Sequence, residues 1–420
     1  MTDKALLQLV INDQRMLTWQ DNWLTRELPE HLLKSQDVVV ISGIRRCGKS
    51  TLLHQIRKNQ PEKDYYLNFD DDRLVQFTTD DFQLLYELFI SLFGKQQTFY
   101  FDEIQNVKGW ERFVRRLHDY GNKIFITGSN ASMLSRELGT HLTGRFLSYE
   151  LFPFSFSEYL QWSKIEVNDS SKLSTEARAG LIRQFDQYFI AGGFPAYLRE
   201  QNPQYLKTLY ENILYRDVLV RNKLTNEKEL LELVFYLASN VAKLNSYSAL
   251  TKTIGVANPT TIKNYLSFLE DAYLVFSVNK LSYSVKTQLR NPKKVYLIDL
   301  ALVRTLGFHF TDDRGRFLEN LVFLELKRGG RVIFYHQNKF ECDFIIRDGA
   351  QVVQAIQVTY SMQDGETHMR ELNGLLEAME EYQLNTGLII TDHEEKEIDI
   401  PGKTITIVPA WKWLLDNKSN

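Results

Sequence analysis

Short apolar runs alternate with amphipathic stretches along the first third of the chain. Residues 38–42, VVVIS, are a β-branched run of the kind that forms a fully buried strand. The stretch TLLHQIRK at 51–58 then takes up helical spacing. Two further buried-strand patterns end in polar residues, TFYFDEIQ at 98–105 and KIFITGSN at 123–130, with the helix pattern WERFVRRLHDY between them. YYLNFDDDRL at 65–74 reads as another strand running into a cluster of acids. Buried strands separated by helices predict an α/β fold, a parallel sheet with helices on both faces.

The pattern changes in the middle of the chain. Residues 246–270, SYSALTKTIGVANPTTIKNYLSFLE, give a short helix, a turn at Gly255 and a second helix after Asn258-Pro259, which is helix-turn-helix spacing. Ile262, Tyr265, Leu266 and Leu269 share one face, leaving Thr260, Thr261, Lys263 and Asn264 on the outside. Two strand-like segments follow, YLVFSVNKL and KVYLIDL, separated by SYSVKTQLRNPK, so the region resembles a winged helix. From about residue 311 a helix, GRFLENLVFLELKR, precedes strands RVIFYHQ, ECDFIIRDG and QVVQAIQVTY.

Composition narrows the class. At 420 residues the chain exceeds one ordinary core, so two or three domains are expected. A formal net charge of -3 excludes a protein coated with cation for nucleic acid. Residues 246–310, however, carry eight basic against three acidic residues, an asymmetry that favours DNA contact through Lys263, Lys286, Arg290, Lys293 and Lys294. Two distant cysteines, Cys47 and Cys342, supply neither a disulfide framework nor a CxxC metal site. With no signal-like start and no run approaching 18 apolar residues, the chain reads as cytoplasmic and without a membrane partner.

The chemistry concentrates in Gly43-Ile44-Arg45-Arg46-Cys47-Gly48-Lys49-Ser50 followed by Thr51, which fits G-x-x-x-x-G-K-[ST] between strand and helix. Such a loop wraps main-chain N–H groups around phosphate oxygens, and the helix N-terminus adds partial positive charge. Lys49 would reach the β and γ phosphates, Ser50 would offer its hydroxyl to Mg²⁺, and Thr51 would lie near the α phosphate. Cys47 reads as a small loop filler. Asp102 and Glu103, closing the strand at 98–101, are the expected metal carboxylate and the base that polarises water. Ser129 and Asn130 sit at the end of the next strand, placed to sense the γ phosphate. Asp70, Asp71 and Asp72 read as a solvated loop rather than metal ligands. Without an N-K-x-D signature, ATP is favoured over GTP.

GIRRCGKSTLL, FDEIQ and TGSNASMLSRELGTHLTGRFLSYELFPFSFSEYL, together with GGFPAYL at 192–198 and YLIDLALV at 296–303, resemble bacterial and archaeal AAA-type ATPases of the STAND class. These carry a C-terminal restriction-endonuclease-like domain of unknown function. The resemblance covers nearly the whole chain and implies an ATP-hydrolysing switch. It also brings in Arg145, in LTGRF, as a candidate catalytic group touching phosphate in cis or across a subunit interface, with a structural ion pair as the alternative. In active nucleases of that fold a helix Glu, a strand Asp and E-x-K hold metal and activate water. Glu319 and Asp343 match the first two. Gln357 stands where the Glu is expected and Thr359 where the Lys is expected, while His336 and Glu341 are too isolated to complete a site. The resemblance therefore implies an inactive nuclease fold.

The expected organisation is a P-loop ATPase at 1–165, a helical and winged-helix domain at 166–310, and a degenerate nuclease-like domain at 311–420. Lys49, Glu103 and Arg145 would be catalytic, with ATP and Mg²⁺ as cofactors and DNA, another protein or a second copy as partner. The alternatives are an active ATP-dependent DNA nuclease and an interaction scaffold that binds ATP structurally.

Overall fold

A computed structural model describes residues 2–17, 24–26, 28–130, 142, 144–167, 172–309, 313–362 and 365–417. The chain falls into two compact units, Met1–Phe152 with Asp271–Tyr273, and Pro153–Glu270 with Leu274–Asn420.

In the first unit, strands β1 (Val38–Ser42), β2 (Tyr66–Asn68), β3 (Thr98–Asp102), β4 (Lys123–Gly128) and β5 (Phe146–Glu150) form one sheet. Their order is β2-β3-β4-β1-β5, and every pairing is parallel. Val38 and Val40 share a buried cluster with Phe99, Phe101, Ile124 and Ile126. The alternate residues Val39, Ile41, Tyr100 and Phe125 are buried as well, so both faces are covered, as continuous apolar strands require. The helix Lys49–Lys58 packs on β1, β3 and β4, and the helix Glu111–Asp119 packs on β4. β5 has no counterpart among the expected strands, because FLSYE is only half-buried at the sheet edge.

The second unit begins with helices, among them Thr175–Ala191 and Glu227–Ser239. The helix-turn-helix expectation is met by Tyr247–Ile254 and Pro259–Asp271, joined through Gly255 at φ 78°, with Ile262, Tyr265, Leu266 and Leu269 buried. Nine strands follow the order β13-β14-β12-β11-β10-β9-β7-β8-β6. They are β6 (Leu244–Asn245), β7 (Val275–Lys280), β8 (Lys293–Leu297), β9 (Val332–Gln337), β10 (Glu341–Asp348), β11 (Gln351–Val358), β12 (Thr386–Thr391), β13 (Lys396–Ile400) and β14 (Lys403–Pro409). β7 pairs in parallel with β9, matching Asn279 to Phe334 and Lys280 to Tyr335. One sheet thus crosses the boundary expected at 310/311. The helix Arg314–Arg328 is buried at every position from Phe317 to Leu326, and the segment between β7 and β8 contains a short exposed helix, Val285–Arg290.

The motifs GGFPAYL and YLIDLALV meet in this unit. Gly192 ends the helix Thr175–Ala191 at φ 67°. A Cβ there would stand 2.4 Å from the Asp299 carboxylate. Asp299 Oδ2 accepts from the Gly193 N–H at 2.7 Å, and Oδ1 accepts from the N–H groups of Ala301 and Leu302 at the start of the helix Leu300–Leu306. The Phe154 N–H in turn donates to the Gly193 carbonyl at 2.7 Å. Two chain segments are therefore stitched through one buried carboxyl group, and a third joins them at the Gly193 carbonyl.

Burial pushes Asp299 up to about 6, against the pull of its backbone donors. Its folded value exceeds that of the unfolded chain, so the stability it contributes is complete below about pH 4 and is lost as pH rises through about 6, a swing of ~3 kcal/mol. The melting temperature of the wild type, measured relative to Asp299→Asn, is expected to fall across that interval and level off above it. Gly192→Ala, which meets the carboxylate whatever its charge, is expected to lower the melting temperature at every pH.

Candidate functional site

The phosphate loop leaves the C-terminal end of β1, where ligands gather in parallel α/β sheets. Gly43 is indispensable there: at φ 151° a Cβ would lie 2.1 Å from the Leu151 carbonyl oxygen. Gly48, at φ 107°, turns the chain into the helix that starts at Lys49. Ile44 and Cys47 are fully buried beneath the loop, and burial pushes the Cys47 thiol up, which agrees with the reading of Cys47 as filler. Arg45 stands 4.0 Å from Asp70, Arg46 is exposed, and Thr51 is half-buried. Arg26, which carries no motif signal, donates to the Cys47 carbonyl at 3.1 Å and braces the loop from outside.

Lys49 is only 4% exposed. Its Nζ donates to the carbonyls of Gly43 and Ile44, each at 3.1 Å, and lies 3.5 Å from Glu103 Oε1. Ser50 Oγ donates to Asp102 Oδ1 at 3.1 Å. The same oxygen accepts from Thr127 Oγ1, whose own oxygen accepts the Glu103 N–H at 2.9 Å. Burial, with neighbouring Glu103, pushes Asp102 up to about 6. Burial alone would raise Glu103 too, yet Lys49, Gln105 and Arg45 together hold it below the usual carboxylate range. Glu103 takes a left-handed backbone, φ 52°, which is costly for a side chain of its size. Gln105 Nε2 donates to its Oε2 at 2.5 Å.

Because β4 lies between β1 and β3, Ser129 and Asn130 emerge between the loop and Asp102. Both are buried, and Ser129 Oγ finds no hydrogen-bond partner among the described residues. A buried orphan hydroxyl is rare in a folded protein. Beside a phosphate loop it is the place for an added oxygen ligand. An ammonium held, among the described residues, by two main-chain carbonyls and one carboxylate, a helix N-terminus without a side-chain cap and this hydroxyl together fit a nucleoside triphosphate. Ser50 and Asp102 are hard oxygen donors suited to Mg²⁺. Thr127 and Gln105 were not among the expected site residues. Their only signals are a lone Thr inside an apolar strand and a Gln two places past the acidic pair.

Arg145 requires a correction. Its carbonyl accepts from the Val38 N–H at 3.1 Å, placing it beside the start of β1. The loop leaves the other end of that strand, about 13 Å away at 3.3 Å per residue. The Arg145 guanidinium pairs with Asp119, so in its own chain it is an ion pair rather than a phosphate ligand. Most of the signature from Ala131 to Thr143 lies outside the described residues. Asp71 is likewise a structural group. It pairs with Arg73 at 2.9 Å, and that guanidinium, with the Gln14 amide, holds it down at about 2 against burial.

A second charged centre lies in the other unit. Lys294, 1% exposed, reaches Glu319 Oε1 at 2.9 Å, Asp343 Oδ1 at 2.7 Å and Glu341 Oε1 at 2.7 Å. The expected role of Lys294 as a phosphate contact on the surface is thereby corrected: it faces inward from β8. Tyr296 donates to Glu319 at 2.7 Å, and the Val358 N–H donates to Asp343 Oδ2 at 2.9 Å. Gln357 accepts from the Asp343 N–H at 3.2 Å and donates to Glu371, while the Thr359 hydroxyl donates away, to the Ser361 carbonyl. Burial and Asp343 push Glu319 up to about 8. His336 pairs instead with Tyr382 and faces Glu377. Glu341, expected to be isolated, belongs to the lysine centre.

Of the other basic candidates, Lys263, Lys286 and Arg290 are exposed, whereas Lys293 is half-buried and bonded to Asn279. No helix among the described residues is long and apolar enough to cross a membrane.

Residues 35–160 match the family described as AAA domain, 182–313 match Domain of unknown function DUF8612, and 314–413 match Domain of unknown function DUF4143. The chain is 35% identical to the uncharacterized protein MJ1544 of Methanocaldococcus jannaschii, over 98% of this chain and 96% of that one. It is 32% identical to an uncharacterized protein of Haemophilus influenzae, over 89% and 94%. Similar solved structures include RuvB of Thermotoga maritima, 15% identical over 64% of this chain and 93% of that one with a TM-score of 0.28. Another is Cdc6p of Pyrobaculum aerophilum, 11% identical over 76% and 98% with a TM-score of 0.26. Likenesses this loose carry no functional weight. The phosphate loop, the parallel sheet around it and 32–35% identity along most of the chain place this protein in the family of those archaeal and bacterial proteins; in this chain an AAA domain is joined to two domains of unknown function.

Proposed function

We propose that the protein binds and hydrolyses ATP, and that the nucleotide state resets a switch built on the loop Gly43–Thr51. The observation that carries this reading is the arrangement of Lys49, Asp102 and Ser129: one buried ammonium, one metal-type carboxylate and one hydroxyl with no partner among the described residues, at the C-terminal ends of three neighbouring strands. Ser50 and Asp102 are the residues that would hold Mg²⁺, an ion that when bound neutralises charge on phosphate oxygens.

A triphosphate entering the loop offers Lys49 charged oxygens in place of two carbonyls, and charge-assisted hydrogen bonds are the stronger kind. Moving the ammonium toward phosphate ends its 3.5 Å pairing with Glu103. The carboxylate, still oriented by Gln105, is then free to accept a hydrogen bond from the attacking water. Ser129 donates to the terminal phosphoryl oxygens, and Lys49 stabilises charge developing on them.

Phosphate release should be measured on the wild type and three variants. Lys49→Ala is expected to weaken ATP binding at least roughly tenfold, the worth of a charged hydrogen bond. Glu103→Gln should keep its affinity and lose about 10²- to 10⁴-fold in kcat. Ser129→Ala should lose about tenfold in kcat with KM little changed. Unaltered ATP affinity in Lys49→Ala would overturn the reading. Binding without turnover in the wild type, with or without DNA, would favour a scaffold that uses ATP structurally.

Action on DNA is supported by the helix-turn-helix segment. The second helix and the connection after it expose Thr260, Lys263, Asn264, Lys286 and Arg290, in the element order of a winged helix. Replacing Lys263, Lys286 and Arg290 together by Ala is expected to weaken duplex binding similarly for all sequences. It should also flatten the salt dependence by about 3 in slope. A full-length protein that shows no salt-dependent DNA binding at all would remove this part of the proposal.

A further inference from the structure

Glu319 and Asp343 occupy two positions of the metal-dependent nuclease pattern that the C-terminal sequence resembles. The donor set around them does not fit a metal. Gln357 is neutral and engaged on both sides, by the Asp343 N–H and by Glu371, and Thr359 donates to a carbonyl outside the centre. The space that three carboxylates share is filled by Lys294 Nζ, at 2.7 to 2.9 Å from one oxygen of each. Among the described residues no group of three ligating side chains stands ready to hold a metal ion.

We propose that the ammonium of Lys294 serves as a resident cation in this cradle, so that the centre takes up no divalent metal and cleaves no phosphodiester. The lysine missing from position 359 is in effect supplied by β8, and it bonds the carboxylates themselves rather than a water or a phosphate. Mg²⁺ and Mn²⁺ demand oxygens close to 2.0–2.2 Å. To reach them an ion would have to expel a tethered ammonium or sit beside it, and like charges a few ångströms apart in a buried site repel strongly. Two of the carboxylates carry further donors. Asp343 Oδ2 accepts from the Val358 N–H, and Glu319 Oε1 also accepts from Tyr296. The centre is composite: Lys294 belongs to the segment matching DUF8612, and the carboxylates belong to the segment matching DUF4143.

The cradle should therefore become a metal site once its own cation is withdrawn. Mn²⁺ uptake is measured by the loss of the free-ion electron paramagnetic resonance signal, on full-length protein carrying Asp102→Asn so that the phosphate loop contributes no ion. With Lys294 intact, no equivalent of Mn²⁺ is expected to bind, and supercoiled plasmid should stay intact in Mn²⁺. With Lys294→Met added, one equivalent should bind, and Mn²⁺ should raise the melting temperature by roughly 5 °C, as a ligand specific to the folded state does. The proposal is overturned if the Lys294 protein binds an equivalent of Mn²⁺ that Asp343→Asn abolishes, or nicks plasmid in an Asp343-dependent way. It is also overturned if folded Lys294→Met takes up none. Should Lys294→Met be insoluble, the arm with Lys294 intact still decides the matter.

Discussion

A buried ammonium must have partners, and in the phosphate loop those partners are provisional. Lys49 leans on the carbonyls of Gly43 and Ile44 and on Glu103, neutral or shared acceptors that a phosphate oxygen outcompetes. On the proposed function, several features of the first unit keep that choice open. Gly43 must lie hard against the Leu151 carbonyl for the loop to curl. β4 must separate β1 from β3 so that Ser129 and Asp102 flank the same space. Glu103 must accept a left-handed backbone so that its N–H reaches Thr127 while its carboxylate faces the lysine.

The second buried lysine makes the contrast instructive. Lys294 has three carboxylate oxygens within hydrogen-bond distance. Removing one member of such a buried cluster strands the others, at about 3–5 kcal/mol. Lys49 is held loosely enough to change partners, whereas Lys294 is held by charges that no neutral ligand can replace. On the two proposals made above, the same functional group serves a responsive site in one unit and a fixed strut in the other.

The candidate nucleotide site was legible in the sequence because its residues are contiguous. Gly43 to Thr51 lie in one run, and Asp102 and Glu103 close the next buried strand but one. Depth and direction were not legible. Arg145 was left between a phosphate contact and a structural ion pair because a motif says nothing about which end of a strand it occupies. Lys293 and Lys294 look alike as a basic pair, and only the register that sets Lys294 opposite Val278 and Leu244 turns it inward. The β7–β9 pairing joins residues more than fifty apart, beyond any local pattern, so the sequence does not show that one sheet runs through the second and third matched segments.

That pairing also bears on how such proteins can be rearranged. Severing the chain near residue 313, where the two matched segments abut, would bare the N–H and C=O groups of β9 along Phe334 and Tyr335. An uncapped ladder of this kind invites foreign strands. The two halves of the nine-stranded sheet are therefore poor candidates for exchange as separate cassettes. Transfer of both halves together would keep the β7–β9 ladder intact.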